Sequence, residues 1–426
     1  MQIKQILPGV RLISLPAQKF NRCRITIQFQ YPASRQQATA RALLPLLLER
    51  GYAGCPDMTE LSRRLAKLYG ASLSSEVGSN GANHLLMVRV TGLKDEFALA
   101  GEALSEEYAE LAFGAAFDPY FVNGAFDPEA VEIEKTALAR RLEAEINDKR
   151  LYCARQAARK FFGDAPAGIQ REGYLEEVAS VTPAQLTDTY YELLRTASID
   201  VFVTGMDPAP AARRLAAALQ EVRRSPAPLL PQSAMPRQPL ARYTEQMELV
   251  QAKLCMLFTA AKPADPAEVA VYRLAMSLFG GSVTSRLFLN VREKQGLCYY
   301  CGSGFSGATG CMTVNSGVEP ADAQKAEAAI LHELEQLCSG PITPQELEDC
   351  RRGLVSGLAS VEDSIGGLEN WYLIELLRGG AVQSPAEAIE ALAKVTEEQV
   401  RGALRSFSHS VSYLVTAKGE GGKSHA

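Results

Sequence analysis

The sequence predicts an α+β protein made of two tandem, similar halves, and three observations carry that prediction. Period-two alternation and helical apolar spacing are interleaved along the chain, so strands and long helices mix within each half. Stretches of the first half return in order in the second: Ile25–Phe29 is echoed by Leu254–Phe258, and Val181–Gln185 by Val395–Gln399. Between the halves lies Ser225–Pro239, with five prolines and no apolar periodicity, which reads as an extended linker. The expected partition is residues 1–222, a linker over 223–242, and residues 243–426.

Taken in order, Val10–Leu15 and Arg22–Gln30 read as two strands of a hairpin. In the second, Cys23, Ile25, Ile27 and Phe29 alternate with polar residues, so one face is buried. A helix is expected from Ser34 to Arg50, apolar on most sides, with Pro45 kinking it or marking its start and Gly51 past its end. A second helix runs from Asp57 to Tyr69 with Gly70 as its stop. Strands follow at Ser72–Val77 and His84–Thr91, split by the turn residues Gly78–Gly81. Two long helices are expected over Asp95–Ala112 and Asp127–Phe161, the second opened by Asp127-Pro128. Another begins at Thr182-Pro183, and Ser198–Thr204 is the closing strand. In the second half a helix opens at Asp265-Pro266 and ends at Gly280-Gly281. Strands flank Ser306–Gly310, helices cover Ala321–Cys338 and start again at Thr343-Pro344, and a strand closes at Ser410–Thr416.

Composition narrows the function classes. A length of 426 residues favours more than one domain, and 47% hydrophobic residues supply full cores. The net charge of -5 leaves no basic footprint for nucleic acid. No apolar run reaches membrane-spanning length, and Met1–Pro8 lacks an apolar signal region, so a cytoplasmic protein is expected. The nine cysteines, Cys23, Cys55, Cys153, Cys255, Cys298, Cys301, Cys311, Cys338 and Cys350, are odd in number and scattered, as reduced packing thiols are. Cys298 and Cys301, with Cys311 nearby, resemble the start of a zinc site. Such a site needs four ligands, and on a regular strand residues three apart face opposite ways.

The four histidines, His84, His332, His409 and His425, include no pair at ligand spacing. His332-Glu333 begins like a His-Glu-x-x-His motif, but Gln336 stands where the second His belongs. The Gly-rich Ala417–Ser424 fits a loose phosphate-loop pattern without the helix such a loop must open.

One stretch draws chemistry together. Ser285–Tyr300 reads as a short helix ending near Gly296 and handing over to a strand. That turn can set Arg292 and Tyr299 side by side at one edge of a sheet. A guanidinium fork and a phenol there can hold a carbonyl oxygen or a developing oxyanion. The alternative is an Arg292–Glu293 surface ion pair and a tyrosine capping a core.

Ser285–Tyr300 resembles the second-domain signature of the M16 (pitrilysin, insulinase and mitochondrial processing peptidase) family of zinc peptidases. The resemblance covers nearly the whole chain and implies two related domains, each an antiparallel-rich sheet packed with long helices. It also implies that Arg292 and Tyr299 face a peptide substrate. Active members carry His-x-x-Glu-His on the first helix; the matching positions here are Ala42, Pro45 and Leu46, none of them a metal ligand or a base. Glu134 matches an acidic position of the family. The further ligand Glu falls at Arg141, with Glu143 and Glu145 close by.

Within the family, the runs Ala42–Gly51, Leu68–Leu73, Asn123–Asp127 and Leu287–Lys294 most resemble a YmfF-like bacterial subgroup associated with 5-aminopentanol modification of elongation factor P. The resemblance therefore implies a subunit with no catalytic residue and no cofactor of its own. A zinc-bearing M16 partner chain would supply the metal, and a peptide or small protein would be the substrate. A scaffold subunit, or a peptide-binding chaperone without peptidase activity, remains as the alternative.

Overall fold

In the computed structural model, which describes residues 1–418, the alternating stretches of the first half form one six-stranded sheet. Gly419–Ser424, most of the phosphate-loop-like stretch, and His425 lie outside the described residues. The chain divides into two compact units that are not consecutive in sequence. The first holds Met1–Glu143, Ala165–Pro231 and Ser364–Asn370; the second holds Ala144–Asp164, Gln232–Asp363 and Trp371–Ala426.

The strands of the first unit are β1 (Gln2–Leu7), β2 (Val10–Leu15), β3 (Arg22–Pro32), β4 (Ser72–Asn80), β5 (Asn83–Leu93), the short pair β6 (Phe121–Val122) and β7 (Ala125–Phe126), and β8 (Ser198–Thr204). The sheet order is β1-β2-β8-β3-β5-β4. β2 and β3 therefore do not form the expected hairpin: β8 lies between them, parallel to β2 and antiparallel to β3. The cause is apolar content, since Val201, Phe202 and Val203 are all fully buried and a strand buried on both faces belongs inside a sheet. β1, unforeseen, pairs with β2 instead, across a turn at Gly9 with φ of 69°.

Helices α1 (Ala38–Leu48), α2 (Met58–Lys67), α3 (Leu104–Phe117) and α4 (Pro128–Glu143) follow the predicted spacing with corrected ends. Pro45 sits inside α1, neither at its start nor at a break. α3 begins later than expected because Asp95 caps it from a separate 3-10 turn, accepting from the backbone N–H of Ser105 at 2.7 Å and from its hydroxyl at 2.6 Å. The long helix predicted over Asp127–Phe161 is broken. Asp148 accepts from the N–H of Arg150 and of Leu151, both at 3.0 Å, and so starts a new helix, α5 (Lys149–Phe162), which belongs to the second unit. α6 (Leu175–Val178), α7 (Pro183–Thr196) and α8 (Ala209–Leu219) complete the first unit. Its proline-rich end is fastened: Asn83 donates to Leu230 O at 2.8 Å and accepts from Leu230 N–H at 2.9 Å.

Three local features of this unit matter below. At the outer edge, the N–H of Ser75 on β4 donates to the Glu49 carboxylate at the end of α1. On the sheet, Ser364–Asn370 brings the fully buried carboxylate of Glu369 between β3 and β8. It accepts from Thr26 Oγ1 at 2.6 Å and Thr204 Oγ1 at 2.7 Å, with Arg24 and Arg89 at 3.8 and 3.9 Å. His84, also buried, has its Nε2 3.1 Å from Ile169 O, and burial pushes its pKa down to about 4.

His84 makes stability fall with acid. The unfolded chain takes up the proton near pH 6.5, whereas folded His84, desolvated and close to Arg41 and Arg171, resists it. Stability should decline between pH 6.5 and 4 by up to about 3 kcal/mol. Denaturant midpoints across that range should slope accordingly, and His84→Asn should flatten the slope.

The second unit contains β9 (Ala241–Met247), β10 (Ala252–Thr259), β11 (Cys298–Ser306), β12 (Cys311–Val318) and β13 (Ser408–Ala417), in the order β11-β12-β10-β13-β9. That order repeats β4-β5-β3-β8-β2, including the parallel pair, now β9 with β13. The duplication is thus expressed strand by strand, with β1 as the first unit's addition. Helices α9 (Pro266–Met276), α10 (Ala323–Ser339), α11 (Pro344–Ser360), α12 (Ile365–Arg378), α13 (Pro385–Ala393) and α14 (Glu397–Arg405) supply the remaining cover, with the opening turns of α12 counted in the first unit. α5 packs on β10 and β13, placing Cys153 with Cys255 and Cys311 in a dry cluster.

Candidate functional site

The site residues stand where a π-helix meets the edge strand β11. After α9 the chain forms two π-helical segments, Ser277–Gly281 and Leu287–Lys294, in place of the short α-helix expected. Such wide turns are rare and cluster at functional sites. Leu287 and Val291, four apart and fully buried, root the second segment in the core. Its start is held by Arg286, which donates to Glu346 at 3.0 Å and to Pro341 O at 2.6 Å. Its end is closed by Gly296, at φ of 64°, with Leu297 N–H donating to Val291 O at 3.2 Å. The first segment lies so close to β11 that a Cβ on Gly280 would come within 2.8 Å of Ser303 N. Any side chain there would force the segment off the strand.

Arg292 lies near the end of the second segment, and Tyr299 lies one residue into β11, the outer strand of the sheet. No hydrogen bond joins them. Arg292 Nε lies 3.5 Å from Glu293, and its guanidinium stacks over Phe288 at 4.6 Å; the side chain is 39% exposed. The surface ion pair weighed from sequence is therefore present. Tyr299 does not cap a core: it is 56% exposed, and its hydroxyl donates to the Glu319 carboxylate. That hydrogen bond, with the charge of Glu319 behind it, raises the phenol pKa and keeps it a donor. Glu319 was missed from sequence. It stands just beyond β12, the strand paired with β11, a proximity that only strand register reveals.

Register also corrects the reading of the two cysteines. Cys298 pairs with Val318 and Tyr300 with Gly317, so Tyr299 is an extra residue in a β-bulge. Cys301 then pairs with Ser316. Val318 and Ser316, two apart on β12, share a face, and so do Cys298 and Cys301. Cys311 joins the Cys153–Cys255 cluster, separate from the one that holds Cys298 and Cys301.

At the positions where the family carries its metal, the donors do not fit zinc. Ala42 and Pro45 are buried in α1, and Leu46 packs against the core. Glu134 is occupied by Arg50 at 2.7 Å. Arg141 and Glu143 are exposed, and Glu145 is bonded to Arg155. His409 Nε2 lies 3.0 Å from the Ser412 hydroxyl, and its ring stacks on Phe258 at 4.7 Å. Among the described residues no group of three or more His, Cys, Asp or Glu is placed to hold a metal ion. Nor is any helix among them long and apolar enough to cross a membrane.

Comparisons with known proteins agree with this geometry. Residues 180–354 match the family described as the peptidase M16 inactive domain. The chain is 24% identical over 416 residues to the probable inactive metalloprotease YmfF of Bacillus subtilis strain 168, covering 97% of each chain. Over 171 residues it is 31% identical to the uncharacterized zinc protease YmxG of the same organism, covering 39% of this chain and 41% of that one. A crystal structure of a conserved protein from Enterococcus faecalis V583 superposes with a TM-score of 0.88 at 25% identity, covering 99% of each chain. The peptidase M16 inactive domain structure from Pseudomonas fluorescens gives 0.76 at 18% identity, covering 98% of each. The chain is thus similar to the peptidase M16 inactive domain over residues 180–354 and to a probable inactive metalloprotease over nearly its whole length.

Proposed function

We propose that this chain is a non-catalytic subunit that pairs with a zinc-bearing M16 chain and contributes Arg292 and Tyr299 to a bound peptide. The observation that carries the reading is an asymmetry between two sites. The metal positions are filled by apolar residues and by Glu134, which is ion-paired with Arg50, while the Arg292 guanidinium and the Tyr299 phenol remain exposed. A half-site of that kind makes chemical sense when another chain completes it. The partner would supply zinc, its water and the base. This reading treats residues 1–222 and 243–426 as the duplicated modules and the cytoplasm as the compartment.

A second reading has its own support. Both side chains already have partners within the chain, Glu293 and Glu319, as they would in a subunit that serves only to build an assembly.

Two measurements test the proposal. Purified alone, the chain should carry no stoichiometric zinc by elemental analysis and should hydrolyse no peptide. Co-expressed with a zinc-bearing M16 chain, it should form a hetero-oligomer by light scattering, with an interface near or above ~1,600 Å². A monomer indifferent to such a partner would sink the pairing.

A further inference from the structure

We propose that Cys298 and Cys301 form a redox-active dithiol at the base of the Arg292–Tyr299 edge, closing to a disulfide when hydroperoxide is present. The assignment rests on where the bulge puts them. Both thiols point to one face, share one apolar cluster, and are each 8% exposed. Tyr299, which lies between them in sequence, is the residue without a ladder partner, and β11 is the outermost strand. An unpaired residue in an edge strand can give when the two sulfurs draw together.

The surroundings separate this pair from the other cysteines. Hydrogen bonding from Cys301, with help from Ser316 and the nearby charge of Arg292, lowers the Cys298 thiol against the opposing effect of burial, while that same hydrogen bond and burial raise Cys301, which keeps its proton. Burial pushes Cys23, Cys153 and Cys311 up to about 12. Cys338, the one cysteine that is not buried, is also raised by desolvation. Nucleophilic attack requires the thiolate, so Cys298 is the thiol poised to react.

The step balances. The Cys298 thiolate attacks one oxygen of hydrogen peroxide and breaks the O–O bond; with one proton, water leaves and a sulfenic acid remains. The Cys301 sulfur then attacks the Cys298 sulfur and expels the hydroxyl, which departs as water with the Cys301 proton. Two thiols and one peroxide become one disulfide and two waters, sulfur being oxidised and peroxide reduced. Reduction by a low-molecular-weight thiol reverses the change.

The test uses the full chain. A brief pulse of maleimide at neutral pH on the reduced protein should label Cys298 about tenfold faster than Cys338. Hydrogen peroxide should then give, by peptide mapping, a product two hydrogens lighter with its link between Cys298 and Cys301. In Cys301→Ser, the same treatment should leave a sulfenic acid on Cys298 that dimedone traps. Because these arms use wild-type protein and a single serine replacement, they do not depend on Cys298→Ser folding. Faster labelling of Cys338, or oxidation that leaves both sulfurs unlinked and Cys298 untouched by dimedone, would overturn the proposal.

Discussion

Tyr299→Phe, in a correctly assembled complex with a zinc-bearing M16 chain, should lower turnover about 10²–10³-fold, the usual cost of losing one donor to a developing oxyanion. The change removes a hydroxyl from an exposed side chain, so assembly and melting temperature should hardly move. Arg292→Lys should be nearly as damaging as Arg292→Ala, because an ammonium cannot reproduce a planar two-donor fork. A steady-state assay of each assembled variant, with light scattering as the assembly control, makes the comparison. Glu319→Gln adds a discriminating arm. It removes the charge facing the phenol and should leave turnover within a few-fold of wild type, since Tyr299 remains. If the Tyr299→Phe, Arg292→Lys double variant turns over like wild type, the two side chains are structural and the scaffold reading stands.

Glu369→Ala should be the most damaging single change to stability in the first unit. It leaves Thr26 and Thr204 buried without their acceptor and Arg24 and Arg89 without the carboxylate they face. Breaking a buried ionic cluster from one side costs about 3–5 kcal/mol. Glu369→Gln keeps an oxygen and the shape, and its effect should be well under half of that. The order of the two denaturation midpoints is the check; an Ala variant as stable as the Gln variant would show that the acceptor oxygen and the shape of Glu369 contribute nothing.

The architecture was legible where periodicity and punctuation act locally. The alternation of Cys23, Ile25, Ile27 and Phe29 predicts β3, and Gly296 predicts the end of the helix that carries Arg292. The repeated strand openers anticipate two sheets of the same order. What could not be read depends on partners distant in sequence. β8 separates β2 from β3 because three consecutive apolar residues need neighbours on both sides, and nothing in β2 or β3 announces it. The segments Ala144–Asp164 and Ser364–Asn370 each pack with the unit that their position in the chain does not suggest. Their helical spacing says which face is apolar and not which core receives it.

The candidate site was half legible. Arg292 and Tyr299 come from a motif, but the Glu319 contact and the shared face of Cys298 and Cys301 come from one extra residue in β11. A bulge leaves no mark in alternation when the strand around it is mixed in polarity, as Cys298–Ser306 is.

The matching outer strands β4 and β11 bear on colloidal behaviour. A duplicated chain inherits the same vulnerability twice, an open ladder on which another molecule's strand can crystallise into aggregate. The copies have diverged in their defence. On β4 a side chain, Glu49, occupies an amide that an intruding strand would require, and it holds negative charge in the approach path. On β11 the backbone is deformed, so a straight intruder loses register at Tyr299. One defence is chemical and yields to a change of charge; the other is geometric and indifferent to it. Acid should therefore unmask self-association at the first edge before the second.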